Sequence, residues 1–188
     1  MDAVAAEHRA EDVLDFWFPG DGFWGSRDAF ASWIHHRMQG GVDERICRDF
    51  AGLTAAAARG LLDHWADTPR GRLALLIALD QFSRSLWRGN PGAYAQDCKA
   101  TRLALEGIGN GHFRAVKPWE RIFYVIAIAH CEGPEHLPRF AVIDRITEEI
   151  IADLPPALEH LADIWRAQNA RVRGIIERFG RHPHRNPV

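Results

Sequence analysis

The stretch LALLIALDQFSRSLWRG, residues 73–89, sets an unbroken apolar run from Leu73 to Leu79 directly against Asp80 and Gln81, with Arg84 and Arg88 just beyond. A run of that kind belongs in a core, where a charge is costly unless it is paired. Asp80 and the arginines are therefore either a structural clamp or part of a site. Just upstream, Thr68-Pro69 combines an N-cap threonine with proline at the first helical position, the clearest helix start in the chain. The helix it opens is expected to run to about Trp87 and to stop at Gly89-Asn90-Pro91-Gly92. A helix that is apolar all round is a central one.

Working outward, the pattern is helical nearly everywhere. Val13, Leu14, Phe16 and Trp17 close a first amphipathic segment that Pro19-Gly20 stops, and a second spans about Asp28 to Met38 with Phe30, Trp33 and Ile34 on one face. Ile46, Phe50, Leu53 and Ala57 recur at helical spacing and predict one helix ending at Arg59-Gly60. Asp97 is expected to cap a shorter helix closed by the glycines at 107–111. Lys117-Pro118 repeats the proline-first start ahead of Trp119 to Cys131. Further helices are expected over Phe140 to Ala152 and from Pro155-Pro156 to about Phe179, with Gly180 as the natural end. No alternating run bounded by hairpin turns is present, so the expectation is one all-α domain over residues 1–188, about eight helices arranged in helical hairpins.

The bulk properties narrow the function classes. The chain has 188 residues, enough for one domain with a substantial core, and its formal net charge of −2 gives no field favouring nucleic acid or an anionic membrane surface. No apolar stretch approaches the roughly 20 residues that span a bilayer. The opening MDAVAAEHRAED lacks the basic-then-apolar layout of a secretory signal, and Cys47, Cys98 and Cys131 form neither a disulfide framework nor a metal motif. A reducing cytoplasmic setting fits these features, with neither nucleic acid nor membrane as partner.

Two helices carry the chemistry. In the first, Asp80 and Arg84 stand i, i+4 on a stripe with Leu73 and Ile77 at 100° per residue, and can meet. In the second, the apolar run Ile122 to Ala129 ends at His130-Cys131-Glu132. His130 aligns with Phe123 and Ile126, and Glu132 can join it only if the helix unwinds there, which Gly133-Pro134 permits. Read alone, Asp80–Arg84 is an ion pair at the core rim, Arg88 a charge suited to a helix C-terminus, and His130 a hydrogen-bonded core histidine. His182-x-His184, with His130, Glu132 and His136, could supply metal ligands but has no recognised metal-binding spacing, so no metal ligands are assigned and the cofactor is left open. Phosphate-loop, dinucleotide and nucleophile-elbow motifs are absent. The seven tryptophans read as core, with Trp65 the one placed to line a pocket.

DFWF (15–18), the Trp24 segment, DHWADTPRGRLALLIALDQFSRSLWRG (63–89), ERIFYVIAIAHCE (120–132) and IIERFGRHPHRN (175–186) together resemble the bacterial Domain of Unknown Function 924 family, collinearly from about residue 12 to 186. The resemblance implies an all-helical fold of the tetratricopeptide-repeat-like superfamily and implies no activity. The family's polar signature falls on Asp80, Gln81, Arg84, His130, Glu132, His184, Arg185 and Asn186. These come from three distant parts of the chain, and their convergence would make a site. Departures occur at Ser83 and Ser85, where the family has Pro and Asn, at Cys131, where it has Ser, and at His182, where it has Phe. The family also continues beyond HRN into a Leu-Gly-Arg segment, whereas this sequence ends at Pro187-Val188; if that arginine serves the site, a specialised or inactive relative is expected.

Three functions follow as expectations. The first is a polar pocket for a small polar or anionic molecule, with Arg84 and Arg185 as anion ligands, Asp80 and Gln81 orienting them, and Arg88, Trp65, His184 and Asn186 contributing to the lining. The second is an enzyme using His130 with Asp80 or Glu132, either as a general acid or base whose tautomer the carboxylate sets or as a metal site. The third is a protein-interaction scaffold, which predicts exposed aromatic residues along a groove instead of Asp80, Arg84 and His130 buried together.

Overall fold

A computed structural model of the chain describes residues 8–185, and among these it is all helical, with no strand. The helices are α1 Ala10–Trp17, α2 Arg27–Met38, α3 Asp43–Asp49, α4 Ala51–Ala58, α5 Pro69–Leu76, α6 Ser83–Leu86, α7 Asp97–Gly109, α8 Ile122–His130, α9 His136–Ala152 and α10 Leu161–Phe179. A π-helical segment, Ile77–Phe82, joins α5 to α6 without a break, so that Pro69 to Leu86 form one central rod.

Every residue from Gly71 to Ser83 is buried, which is what the apolar run at 73–79 demands. The start is built as expected: Thr68 Oγ1 accepts from the Gly71 N–H at 3.1 Å and Pro69 occupies the first helical position. Gly71 itself is required, because a Cβ there would fall inside contact distance of the Trp65 carbonyl oxygen. Around the rod's far half, Phe82 packs against Phe50 (ring centroids 5.1 Å apart), Phe16 (5.8 Å) and Trp17 (5.8 Å). The rod is thereby fixed to α1 and to the α3–α4 junction.

Two helix pairs pack antiparallel. Along α7 and α8, Cys98 meets Cys131, Thr101 Oγ1 donates to the Ala127 carbonyl at 2.7 Å, and Gly107 lies against Tyr124. The partner number falls as the α7 number rises. Along α9 and α10, Asp144 pairs with Arg173, Thr147 accepts from Asn169 at 2.9 Å, and Glu148 accepts from Arg166 at 2.7 Å. These pairs are the helical hairpins that the short connections anticipate.

Four local expectations differ from the structure. The segment read as one helix through Ile46 and Ala57 is two, because Phe50 leaves helical geometry at φ −121° and ψ 6° and turns its ring into the Phe16–Phe82 group. The apolar periodicity runs on across that kink, so it leaves no trace in the pattern. α8 begins at Ile122 instead of Trp119: Glu120 accepts from the Lys117 N–H at 2.9 Å and closes Lys117 to Arg121 into a separate turn. α9 begins at His136, with Pro138 inside its first turn, where a missing N–H costs nothing. Asp97 opens α7 without capping it, since its carboxylate is engaged elsewhere. The far end of α10 is as read: Gly180 takes φ 68° and its N–H reaches the Ile176 carbonyl at 2.7 Å.

Candidate functional site

The π segment is the local feature on which the site is built. Such insertions widen one turn of a helix and recur at functional sites. Here the widened turn carries Asp80 and Gln81, and Ser83 Oγ reaches back five residues to the Ala78 carbonyl at 3.4 Å. The regular 100° stripe expected through Ile77, Asp80 and Arg84 is therefore not realised across 77–82. Adjacent side chains, which diverge on an α-helix, instead meet: Gln81 Nε2 donates to Asp80 Oδ2 at 2.5 Å.

Asp80, 2% exposed, is the centre of the cluster. Its Oδ1 lies 2.7 Å from His130 Nδ1 and 3.0 Å from Arg84 Nη1, and Arg84 also donates to the Asp80 backbone carbonyl. Burial works to raise the Asp80 pKa. The Arg84 and His130 charges, with hydrogen bonds from His130 and Gln81, overcome it and hold the carboxyl far below the usual carboxylate range. An ionised carboxylate only accepts, so His130 carries a proton on Nδ1, and in the neutral ring the lone pair is left on Nε2. Asp80 thus sets the tautomer.

The arginines form a second layer. Arg84 Nη2 bonds Asp97 Oδ1 at 2.9 Å, and Arg185 Nη1 bonds Asp97 Oδ2 and the His130 carbonyl, each at 2.8 Å. Tyr94 lies under both guanidiniums, 5.6 Å from that of Arg84 and 4.6 Å from that of Arg185. The Arg185 side chain is only 6% exposed, yet its Nε has no acceptor among the described residues. A buried donor left in this way is costly unless something from outside completes it.

Glu132 has a different task from the one expected of it. α8 does unwind after His130, with Cys131 extended, and Glu132 Oε1 accepts from the His182 backbone N–H at 2.7 Å. It positions the C-terminal segment and makes no bond to His130. His182 in turn donates from Nε2 to the Ala129 carbonyl at 3.1 Å, and His136 Nε2 donates to the same oxygen at 2.9 Å. The exposed His184 ring stands 5.7 Å from that of His182.

Sequence-marked residues from the central rod, the end of α8 and the C-terminus therefore do meet: Asp80, Gln81, Arg84, His130 and Arg185, with Glu132 and His184 beside them. Trp65 and Arg88 stand apart. Trp65 is buried in the turn before α5, and Asp80 follows Pro69 by enough residues to sit roughly 16 Å further along the rod. Arg88 pairs with Asp43 at 2.6 Å on the surface and ties the rod's end to α3. Asn186 lies outside the described residues. Asp97, expected from the sequence only as a helix cap, and Tyr94 also belong to the cluster. Asp97 does carry a signal, since it shares one helical face with the buried Ala100, Thr101 and Ala104.

Two cavities lie elsewhere, one of about 560 Å³ bordered by Asp12, His36 and Arg45, the other of about 310 Å³ bordered by Asp144, Asn169 and Arg173. Neither is bordered by a cluster residue, and within the cluster the His130 side chain is 26% exposed. No group of His, Cys, Asp and Glu side chains suited to a metal ion occurs among the described residues, and no helix of them is long and apolar enough to cross a membrane.

The histidines give the cluster a pH dependence. Burial, then the Arg185 charge, lowers His182 to about 4, and the same two causes lower His184; burial and Arg139 lower His136. A histidine depressed on folding binds its proton more readily when unfolded. The stability it contributes is complete above its ordinary value of 6.5 and is lost as pH falls from there to about 4. Urea midpoints followed across that window should fall with pH, and His182→Phe should flatten the slope; an unchanged slope would remove His182 from this account.

Taken together, the fold and the cluster define an all-helical domain whose central rod delivers a buried carboxylate–imidazole–guanidinium group to the C-terminal segment. The chain belongs to the family described as bacterial protein of unknown function (DUF924), which it matches over residues 13–188. It is also similar to a solved protein of unknown function from Agrobacterium tumefaciens, at 31% identity and a TM-score of 0.60, over 94% of this chain and 87% of that one. No curated protein matches it.

Proposed function

We propose that the protein binds a small polar or anionic molecule at the open edge of the Asp80 cluster, and that His130 exchanges a proton with it. The observation that carries this reading is the 2.7 Å contact between Asp80 Oδ1 and His130 Nδ1. A buried carboxylate on one imidazole nitrogen fixes the ring and leaves the other nitrogen basic, the arrangement that general acid–base chemistry and ligand recognition both use. The unpartnered Nε–H of Arg185 adds a donor that an incoming oxygen would satisfy. Two guanidiniums face two carboxylates, so their formal charges cancel, and an anion gains net attraction only with a proton on His130.

The test is a thermal-shift series of wild type, His130→Asn and Arg185→Gln against inorganic phosphate, acetate and malonate. At saturating ligand the wild type should gain several degrees in Tm by mass action, and both variants should lose that gain. No shift with any of the three, or equal shifts in the variants, overturns the reading.

One observation favours a second, purely structural reading: Arg84 and Arg185 already spend donors on Asp80, Asp97 and the His130 carbonyl. On that reading Arg185→Gln lowers stability and changes no ligand response. The interaction-scaffold alternative is less well supported, since Asp80, Arg84 and His130 are gathered together with side-chain exposures of 2%, 19% and 26%. Membership of the tetratricopeptide-like superfamily is likewise proposed, on the two antiparallel helix pairs.

A further inference from the structure

We propose that Cys98 and Cys131 form a reversible disulfide that clamps the Asp80 cluster when the protein is oxidised. The inference stands on its own geometry and does not require the ligand proposed above.

The two sulfurs lie 2.8 Å apart and both cysteines are free. Closing to a bond of about 2.05 Å takes under about 1 Å of movement. Cys98 sits in the first turn of α7 and Cys131 directly follows α8, and the antiparallel pairing of those helices holds them face to face. Their surroundings differ in a useful way. Cys98 is exposed and open to an oxidant, whereas Cys131 is 5% exposed and packed beneath it. Burial, then the neighbouring Cys98 thiol, pushes the Cys131 thiol up to about 11, and exposure makes Cys98 the sulfur that an oxidant reaches first. Each cysteine is also the chain neighbour of a cluster residue, Asp97 in one case and His130 in the other. A bond between them would fix α7, with the anchor of Arg84 and Arg185, to the end of α8 that carries the His130 carbonyl.

The chemistry balances with a peroxide as oxidant. The Cys98 thiolate attacks one peroxide oxygen, the O–O bond breaks, and the released hydroxide takes a proton to leave as water. The Cys98 sulfenic acid is then attacked by Cys131 sulfur; the S–O bond breaks, the Cys131 proton goes to the departing hydroxide, and a second water leaves. Two thiols are oxidised by two electrons and one peroxide is reduced. A dithiol reverses the step, becoming a disulfide itself and returning a proton to each cysteine.

The experiment treats the full chain with hydrogen peroxide, alkylates the remaining thiols and maps peptides without reduction. The expected result is a peptide linking Cys98 to Cys131, with Cys47 still alkylated. Closing a loop across a separation of 33 residues should raise Tm by about 5–10 °C, and dithiothreitol should reverse the rise. Cys98→Ser and Cys131→Ser should each lose the link and the rise, while Cys47→Ser keeps both. The His130 imidazole signals should move on oxidation of wild type and not of Cys98→Ser. The proposal is overturned if both thiols stay open to alkylation, if Cys98 proceeds to sulfinic or sulfonic acid without a link, or if the only disulfides join separate chains. A link that leaves the His130 signals in place overturns the clamp.

Discussion

Asp80→Ala is expected to lower the unfolding free energy by about 3–5 kcal/mol, read from urea denaturation at neutral pH. The size comes from what the substitution strands. Asp80 is buried and accepts from His130, Gln81 and Arg84, and removing it takes that shared acceptor away from all three. Arg84 retains Asp97 and the residue-80 carbonyl, so the cluster would not come apart altogether. Asp80→Asn keeps the shape and one acceptor for His130 while removing the charge, and should lose less. A loss under about 1 kcal/mol for Asp80→Ala would place the carboxylate among exposed ion pairs, which contribute little, and would contradict its central position.

Phe82→Ala should cost a comparable amount, about 3–5 kcal/mol in the same assay, by a different route. Its ring is fully buried at the end of the π segment and touches Phe16, Trp17 and Phe50 from two other parts of the chain. Deleting it opens a cavity where α1, the central rod and the α3–α4 kink meet, and rings held by three elements cannot all collapse into it. Phe82→Leu, which refills most of the volume, should recover more than half of the loss. If alanine and leucine behave alike, the site is not packed as tightly as the ring contacts indicate.

How much of this was legible beforehand depended on whether a feature writes itself into local pattern. The central rod was legible, because a threonine–proline start and an unbroken apolar run have few other interpretations. So was the end of α10 at Gly180, where a left-handed residue is required. The meeting of Asp80 with Arg84 followed from spacing, and the meeting of Asp80, His130 and Arg185 from the family's recurring polar positions. The π turn was not legible, since one widened turn inside a fully buried run leaves every residue apolar or buried as before. The kink at Phe50 was hidden for the same reason: the apolar face continues through it. Asp97 was read as a cap because acidic residues at helix starts usually stabilise the terminus. Its partners, Arg84 and Arg185, come from other elements, and no local rule could assign them. Trp65 and Arg88 were drawn toward the site by their nearness in sequence to the rod, yet a rod of that length separates its two ends, and Arg88 lies beyond its turn toward α3.

The central claim is that Asp80 fixes His130 with its proton on Nδ1 and a free lone pair on Nε2. Nitrogen NMR of the histidine side chains reads that state directly, by comparing wild type with Asp80→Ala. The account predicts a single His130 tautomer in the wild type, protonated at Nδ1, that reverts to a mixture when Asp80 is replaced. A wild-type His130 protonated at Nε2, or a tautomer indifferent to Asp80, would contradict it.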